Sequence, residues 1–173
     1  MACGTALTAS RKKTGAVKMK GYRAISFAPF DAQNKIISVA NQVSDLPAGM
    51  TSIYRFEVKN TADNFIETFT KDLTTMSGEN KGVGTFALMY CDRFKTVADA
   101  KALESNTWNV FFELNDGTIL VVGIYNGADI LTVVESTDAQ GFLFTLDTME
   151  PDKASTLITG AITDYNTAIV TYA

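Results

Sequence analysis

The sequence predicts a mainly β protein: an antiparallel β-sandwich or barrel with one short α-helix, a long projecting hairpin and an extended N-terminal arm. Three observations carry this expectation. Apolar and polar residues alternate in one run after another. The runs are separated by Gly, Pro, Asn and Asp turn signals. A single stretch has helical spacing.

Residues 1–21 are small, polar and basic. They are expected to form an extended arm without fixed structure of its own, ahead of a single body at 22–173. In 22–30, Tyr22, Ala24, Ser26 and Ala28 are set against Ile25 and Phe27, which predicts a strand closed by Pro29. Ile36, Ile37 and Val39 predict a second short strand over 35–40, and Pro47 and Gly49 a turn. Ile53, Tyr54, Phe56 and Val58 predict a strand, with a turn at Asn60-Thr61-Ala62-Asp63. The next extended run carries Phe65, Ile66, Thr68, Phe69, Leu73 and Met76. Ser77-Gly78-Glu79-Asn80-Lys81-Gly82 predicts a polar loop, and 83–90, with Val83 and Phe86, a returning strand. Two long runs around a loop with little to bury predict a hairpin projecting from the body, with edges that a neighbouring copy can pair.

The predicted helix covers 96–104, with Val97, Ala100 and Leu103 on one stripe and Thr96 placed to cap it. Such a short helix needs a sheet to dock on. Residues 108–125 alternate most clearly, and Asn115-Asp116-Gly117 contains the Asp-Gly pair that favours a type I′ hairpin turn. Asn126-Gly127 is a second turn signal. Residues 130–135 and 141–149 predict further strands, with Phe142, Phe144 and Leu146 on one face and Pro151 ending the pairing. The apolar, β-branched stretch 154–173 predicts one or two more strands.

Composition excludes several functions. The 173 residues contain no histidine, which removes the commonest general base and metal ligand and any Ser-His or Cys-His nucleophile. Cys3 and Cys91 lack metal or redox spacing and read as free thiols. No phosphate-binding glycine loop and no calcium loop is present. The expectation is a non-enzymatic protein with no cofactor and no metal. No run approaches the ~18 apolar residues of a membrane span, and the start has no apolar core of a secretory signal. A charged content of 20% is low, as for a surface partly covered by partners.

Charge is segregated. Arg11, Lys12, Lys13, Lys18, Lys20 and Arg23 stand in a stretch without one acid, while the remainder holds nine basic and nineteen acidic residues. A basic arm on an acidic body can dock on the next copy or bind nucleic acid. The arm lacks interleaved aromatics, so docking is favoured.

The order of arm, sheet, long hairpin, short helix and sheet with a tight Asp-Gly turn resembles the tail-tube proteins of long-tailed bacteriophages and the tubes of contractile injection systems. The start Met1-Ala2-Cys3-Gly4-Thr5-Ala6-Leu7-Thr8-Ala9-Ser10 is similar to virion proteins from phages of Bacteroidota hosts. So is Gly141-Phe142-Leu143-Phe144-Thr145-Leu146-Asp147-Thr148-Met149-Glu150-Pro151. The resemblance implies hexameric rings stacked into a tube through which genomic DNA passes without specific binding. It implies a virion protein assembled in the host bacterial cytoplasm. Sheath, tape-measure or baseplate proteins would be its other partners, with no membrane. The inter-subunit contacts it implies are Arg11, Lys12, Lys13, Lys18 and Lys20 of the arm and Phe65, Phe69, Leu73, Met76, Val83 and Phe86 of the hairpin. Rival expectations are another virion component (neck, baseplate or head decoration), a nucleic-acid-binding protein acting through the arm, and a monomeric ligand-binding barrel.

Overall fold

The computed structural model describes residues 21–57, 64–71, 74, 78–89, 93–136 and 141–170. Among them run β1 (Tyr22–Pro29), β2 (Gln42–Val43), β3 (Tyr54–Glu57), β4 (Asn64–Lys71) and β5 (Gly78–Met89). Helix α1 (Arg93–Glu104) follows, then β6 (Trp108–Leu114), β7 (Ile119–Val122), β8 (Ala128–Ser136), β9 (Gly141–Glu150), β10 (Ser155–Leu157) and α2 (Thr159–Ala168). The chain is mainly β. The strands form one mixed ten-stranded sheet that does not close, in the order β2-β10-β7-β6-β8-β9-β5-β4, with β1 pairing β6 and β3. The sheet is not purely antiparallel, because β10 and β2 run parallel. Neither described helix is long and apolar enough to cross a membrane.

Strands β1 and β6 lie at the centre and are covered on both faces, which explains their nearly unbroken burial. On one face Ile25, Phe27, Val110 and Phe112 pack with Phe86, Phe144 and Leu146. On the other, Ala28 and Phe111 pack with Val121, Leu157, Ala161 and Tyr165. A register shift between Tyr22 and Ala24 turns Tyr22 onto the first of these faces, where its hydroxyl donates to Thr85 O at 2.8 Å. The small side chains of Ala24, Ser26 and Ala28 leave room beside the sheet. Ser26 Oγ and Tyr165 Oη meet there at 2.7 Å, which ties β1 to α2.

The structure corrects several expectations. The stretch 154–173 is not extended throughout: after three residues of β10 it forms α2. Ala161 and Tyr165 recur at i, i+4 and are buried, so helical periodicity overrides β-branched composition. Thr163 Oγ1 and Thr167 Oγ1 donate to the carbonyls four residues back, at 3.0 and 2.9 Å, so these threonines are satisfied inside a helix. The single expected helix begins at Arg93, not Thr96, while its stripe of Val97, Ala100 and Leu103 packs as expected.

The strand expected over 35–40 is absent. Ala40 and Asn41 both take left-handed φ, 50° and 59°, in a two-residue turn closed by Val39 N to Gln42 O at 2.9 Å. The type I′ geometry expected at Asp-Gly is therefore found here instead. At 115–117 only Gly117 has positive φ, 87°, and its N–H donates to Leu114 O, the pattern of a three-residue hairpin loop. The expected polar loop at 77–82 is strand from Gly78 onward. It pairs with β4 on one side and, from Asn80, with β9 on the other. Val58, the turn at 60–63, Leu73, Met76 and both cysteines lie outside the described residues.

Candidate functional site

Of the expected contact residues, Arg11, Lys12, Lys13, Lys18, Lys20, Leu73 and Met76 lie outside the described residues. The remaining four separate into two groups. Phe86 is fully buried, stacked on Phe144 at 4.8 Å and 5.5 Å from Phe27, so it belongs to the core and offers no surface to a neighbour. Phe65 is half-buried, stacked on Phe112 at 4.7 Å, and holds β4 to the body. Phe69 and Val83 are exposed, at 55% and 38%.

Glycine and phenylalanine positions explain this geometry. The Phe65 ring occupies the space a side chain at Gly82 would need, and the Phe69 ring does the same over Gly78. In the β4–β5 register Phe65 pairs with Gly84 and Phe69 with Asn80, so each ring reaches diagonally over a glycine. Polar, glycine-rich sequence thus forms a well-covered strand because its partner supplies the side chains.

The opposite face of β4, β5, β9 and β8 is turned away from the core. Ile66 pairs directly with Val83, and Leu143 directly with Val134. These residues are exposed, as are Leu131 and Met149. Ile66, Leu131, Val134, Leu143 and Met149 were not among the expected contacts. A signal for two of them stands in the alternation of 141–149, where Leu143 and Met149 fall on the side opposite Phe142, Phe144 and Leu146. At one end of this face a cavity of about 580 Å³ is lined by Glu79, Asp129, Asp147, Leu131 and Met149, among others. Lys81 Nζ lies 3.7 Å from Asp147 Oδ2 beside it. Asp147 Oδ1 is buried without a hydrogen-bond partner.

Strand β4 lies at the end of the sheet and pairs only with β5 among the described residues. Its eight residues present backbone donors and acceptors along one side, a template for a further strand.

Two buried carboxyls fix the body around this surface. Glu113 on β6 accepts hydrogen bonds from Arg23 Nε at 2.7 Å and Arg55 Nε at 2.9 Å, joining β1, β6 and β3. Burial pushes its pKa up, but the two guanidiniums outweigh that, and the net shift is down. Glu150 at the end of β9 is pushed up, first by burial, with nearby Glu67 adding to it. Hydrogen bonds from backbone N–H groups, Tyr125 N among them at 2.9 Å, act in the opposite direction. Asn80, paired with Glu150, donates Nδ2 to Glu67 Oε1 at 2.7 Å, while its buried Oδ1 has no partner. Glu67 Oε1 also accepts Ala154 N at 2.7 Å, tying β4 to the turn after β9. Among the described residues no group of three or more carboxylates or cysteines is placed to hold a metal ion.

The arrangement as a whole can bind another surface: a strand edge left open among the described residues borders a sheet face with an uncharged half and an acidic end. Comparison of the chain with protein-family models, curated proteins and solved structures gives no match.

Proposed function

We propose that this chain is a virion structural protein, the subunit of a phage tail tube, which assembles with copies of itself as stacked hexameric rings around a DNA conduit. In this reading the sheet folds over as a sandwich, with β8, β9, β5 and β4 lying over β1 and β6. The rings of Phe65 on Phe112 and Phe86 beside Phe27 support that layering. The β4–β5 hairpin projects at the edge and meets the next subunit together with the cationic segment of Arg11, Lys12, Lys13, Lys18 and Lys20. The acidic remainder, nineteen acids against nine bases beyond Arg23, suits a conduit that repels phosphate.

The observation that carries the self-assembly reading is the β4 edge, unpaired among the described residues, beside exposed Ile66 and Val83. A long open edge next to apolar surface is an aggregation hazard in a protein that acts alone, and a pairing site in one that polymerises. Negative-stain microscopy and sedimentation of the purified chain test it. Rings or stacked tubes are the expected result. A small defined oligomer that never stacks points to a neck, baseplate or head-decoration role, and a persistent monomer at high concentration overturns the reading.

A further inference from the structure

The outward face of β8, β9, β5 and β4 has a size and charge pattern that select one kind of occupant. Four strands about 4.8 Å apart, each about ten residues long at about 3.3 Å per residue, present a face of about 600 Å². A stable protein–protein contact covers about 800 Å² on each partner, so this face supplies most of one. One half of it is uncharged: Thr85, Thr145 and Thr132, then Leu143 with Val134, follow one another in register, while the neighbouring row runs from Ile66 and Val83 into Asp147 and Asp129. Leu143 and Val134 are 46% and 53% exposed.

Bodies as acidic as this one repel each other, and repulsion is weakest where two such surfaces meet without charge. The acidic end of the face, with Glu79, Asp129 and Asp147 around the cavity, has Lys81 as its cationic neighbour. The stretch before Tyr22 brings five cations, Arg11, Lys12, Lys13, Lys18 and Lys20, and no acid. A second copy therefore offers both an uncharged half-face and a cationic segment.

We propose that this face is the docking surface for a second copy of the chain: its uncharged half excludes water, and its acidic end receives the other copy's cationic first segment. The proposal rests on the self-assembly reading and specifies where copies meet. The β4 edge contributes backbone pairing at the margin of the contact.

Sedimentation velocity over a concentration series tests it with the full chain, alongside circular dichroism and thermal melting. The double variant Val134→Lys/Leu143→Lys places two desolvated charges in the contact. It is expected to weaken self-association by about ten-fold or more with an unchanged far-ultraviolet spectrum. Thr132→Lys/Thr145→Lys charges the same face without removing an apolar side chain, and is expected to weaken it likewise. Glu79→Lys/Asp129→Lys is expected to weaken it too, and Lys12→Glu/Lys13→Glu added to that pair is expected to restore it. A parent that assembles while all folded face variants assemble as tightly overturns the docking surface and leaves the self-assembly reading standing. A parent that stays monomeric removes both.

Discussion

Glu113 is 8% exposed and would be costly there as a lone charge; Arg23 from neighbouring β1 and Arg55 from β3 beyond it compensate it. Its pKa is lowered, so its contribution to stability is complete above the ordinary carboxylate range. That contribution is lost as pH falls through the depressed value. Glu113→Gln is expected to destabilise the fold by about 2 kcal/mol at neutral pH, discounted because Arg23 is half exposed. Thermal melts should show the difference from the parent shrinking under acid conditions.

Glu150 has the opposite sign. Its raised pKa favours the neutral acid in the fold, so stability is complete below the ordinary carboxylate range and declines as pH rises through the raised value. Glu150→Gln keeps an acceptor for Tyr125 N and adds an amide donor on the residue paired with Asn80, whose Oδ1 lacks a partner. The variant is expected to melt higher than the parent at alkaline pH and to show a flatter pH profile. Neither behaviour was legible in the sequence, because the chain offers nineteen acids and only the fold selects which are buried and beside what.

At the scale of elements, β5 and α2 show what pattern reading misses. Gly78 to Gly82 reads as loop because its own side chains bury little, yet Phe65 and Phe69 of β4 cover it. Gly82→Val is expected to displace the Phe65 ring from Phe112 and destabilise by about 1–3 kcal/mol, read by chemical denaturation. In α2, Tyr165 fills space beside Phe111 at 5.3 Å between ring centres and meets Ser26. Tyr165→Phe keeps the ring and leaves Ser26 Oγ without that contact, for an expected loss of about 1 kcal/mol. Tyr165→Ala opens a cavity and is expected to lose about 3–5 kcal/mol. The i, i+4 spacing of Ala161 and Tyr165 was present in the sequence, but β-branched neighbours obscured it.

For the whole molecule, the segregation of charge makes assembly sensitive to ionic strength. If the cationic first segment docks on the acidic end of a neighbouring copy, self-association measured by sedimentation should weaken as salt rises from low to physiological levels. Removing residues 1–20 should leave the melting temperature of the body nearly unchanged while abolishing stacking. Of the expected contacts, Val83 and Phe69 are exposed, although Phe69 shares the strand face of Phe65, whereas Phe86 is in the core. Alternation assigns residues to one face or the other and does not say which face a second layer covers.

Mainly β architecture, most strand positions, the α1 stripe, the turn at Gly117 and the division between a basic start and an acidic remainder were all present in the linear order of residues. They depend on local periodicity, backbone preference and composition, which act over a few neighbouring positions. The sheet order, the parallel β2–β10 pair, burial on both faces of β1 and β6, and the exposure of the face bearing Ile66, Val83, Val134 and Leu143 arise from pairings between residues far apart in the chain. Strand partners and layer contacts are chosen by global packing, and no local pattern encodes them. The surface on which the proposed function depends is therefore a property of the folded sheet.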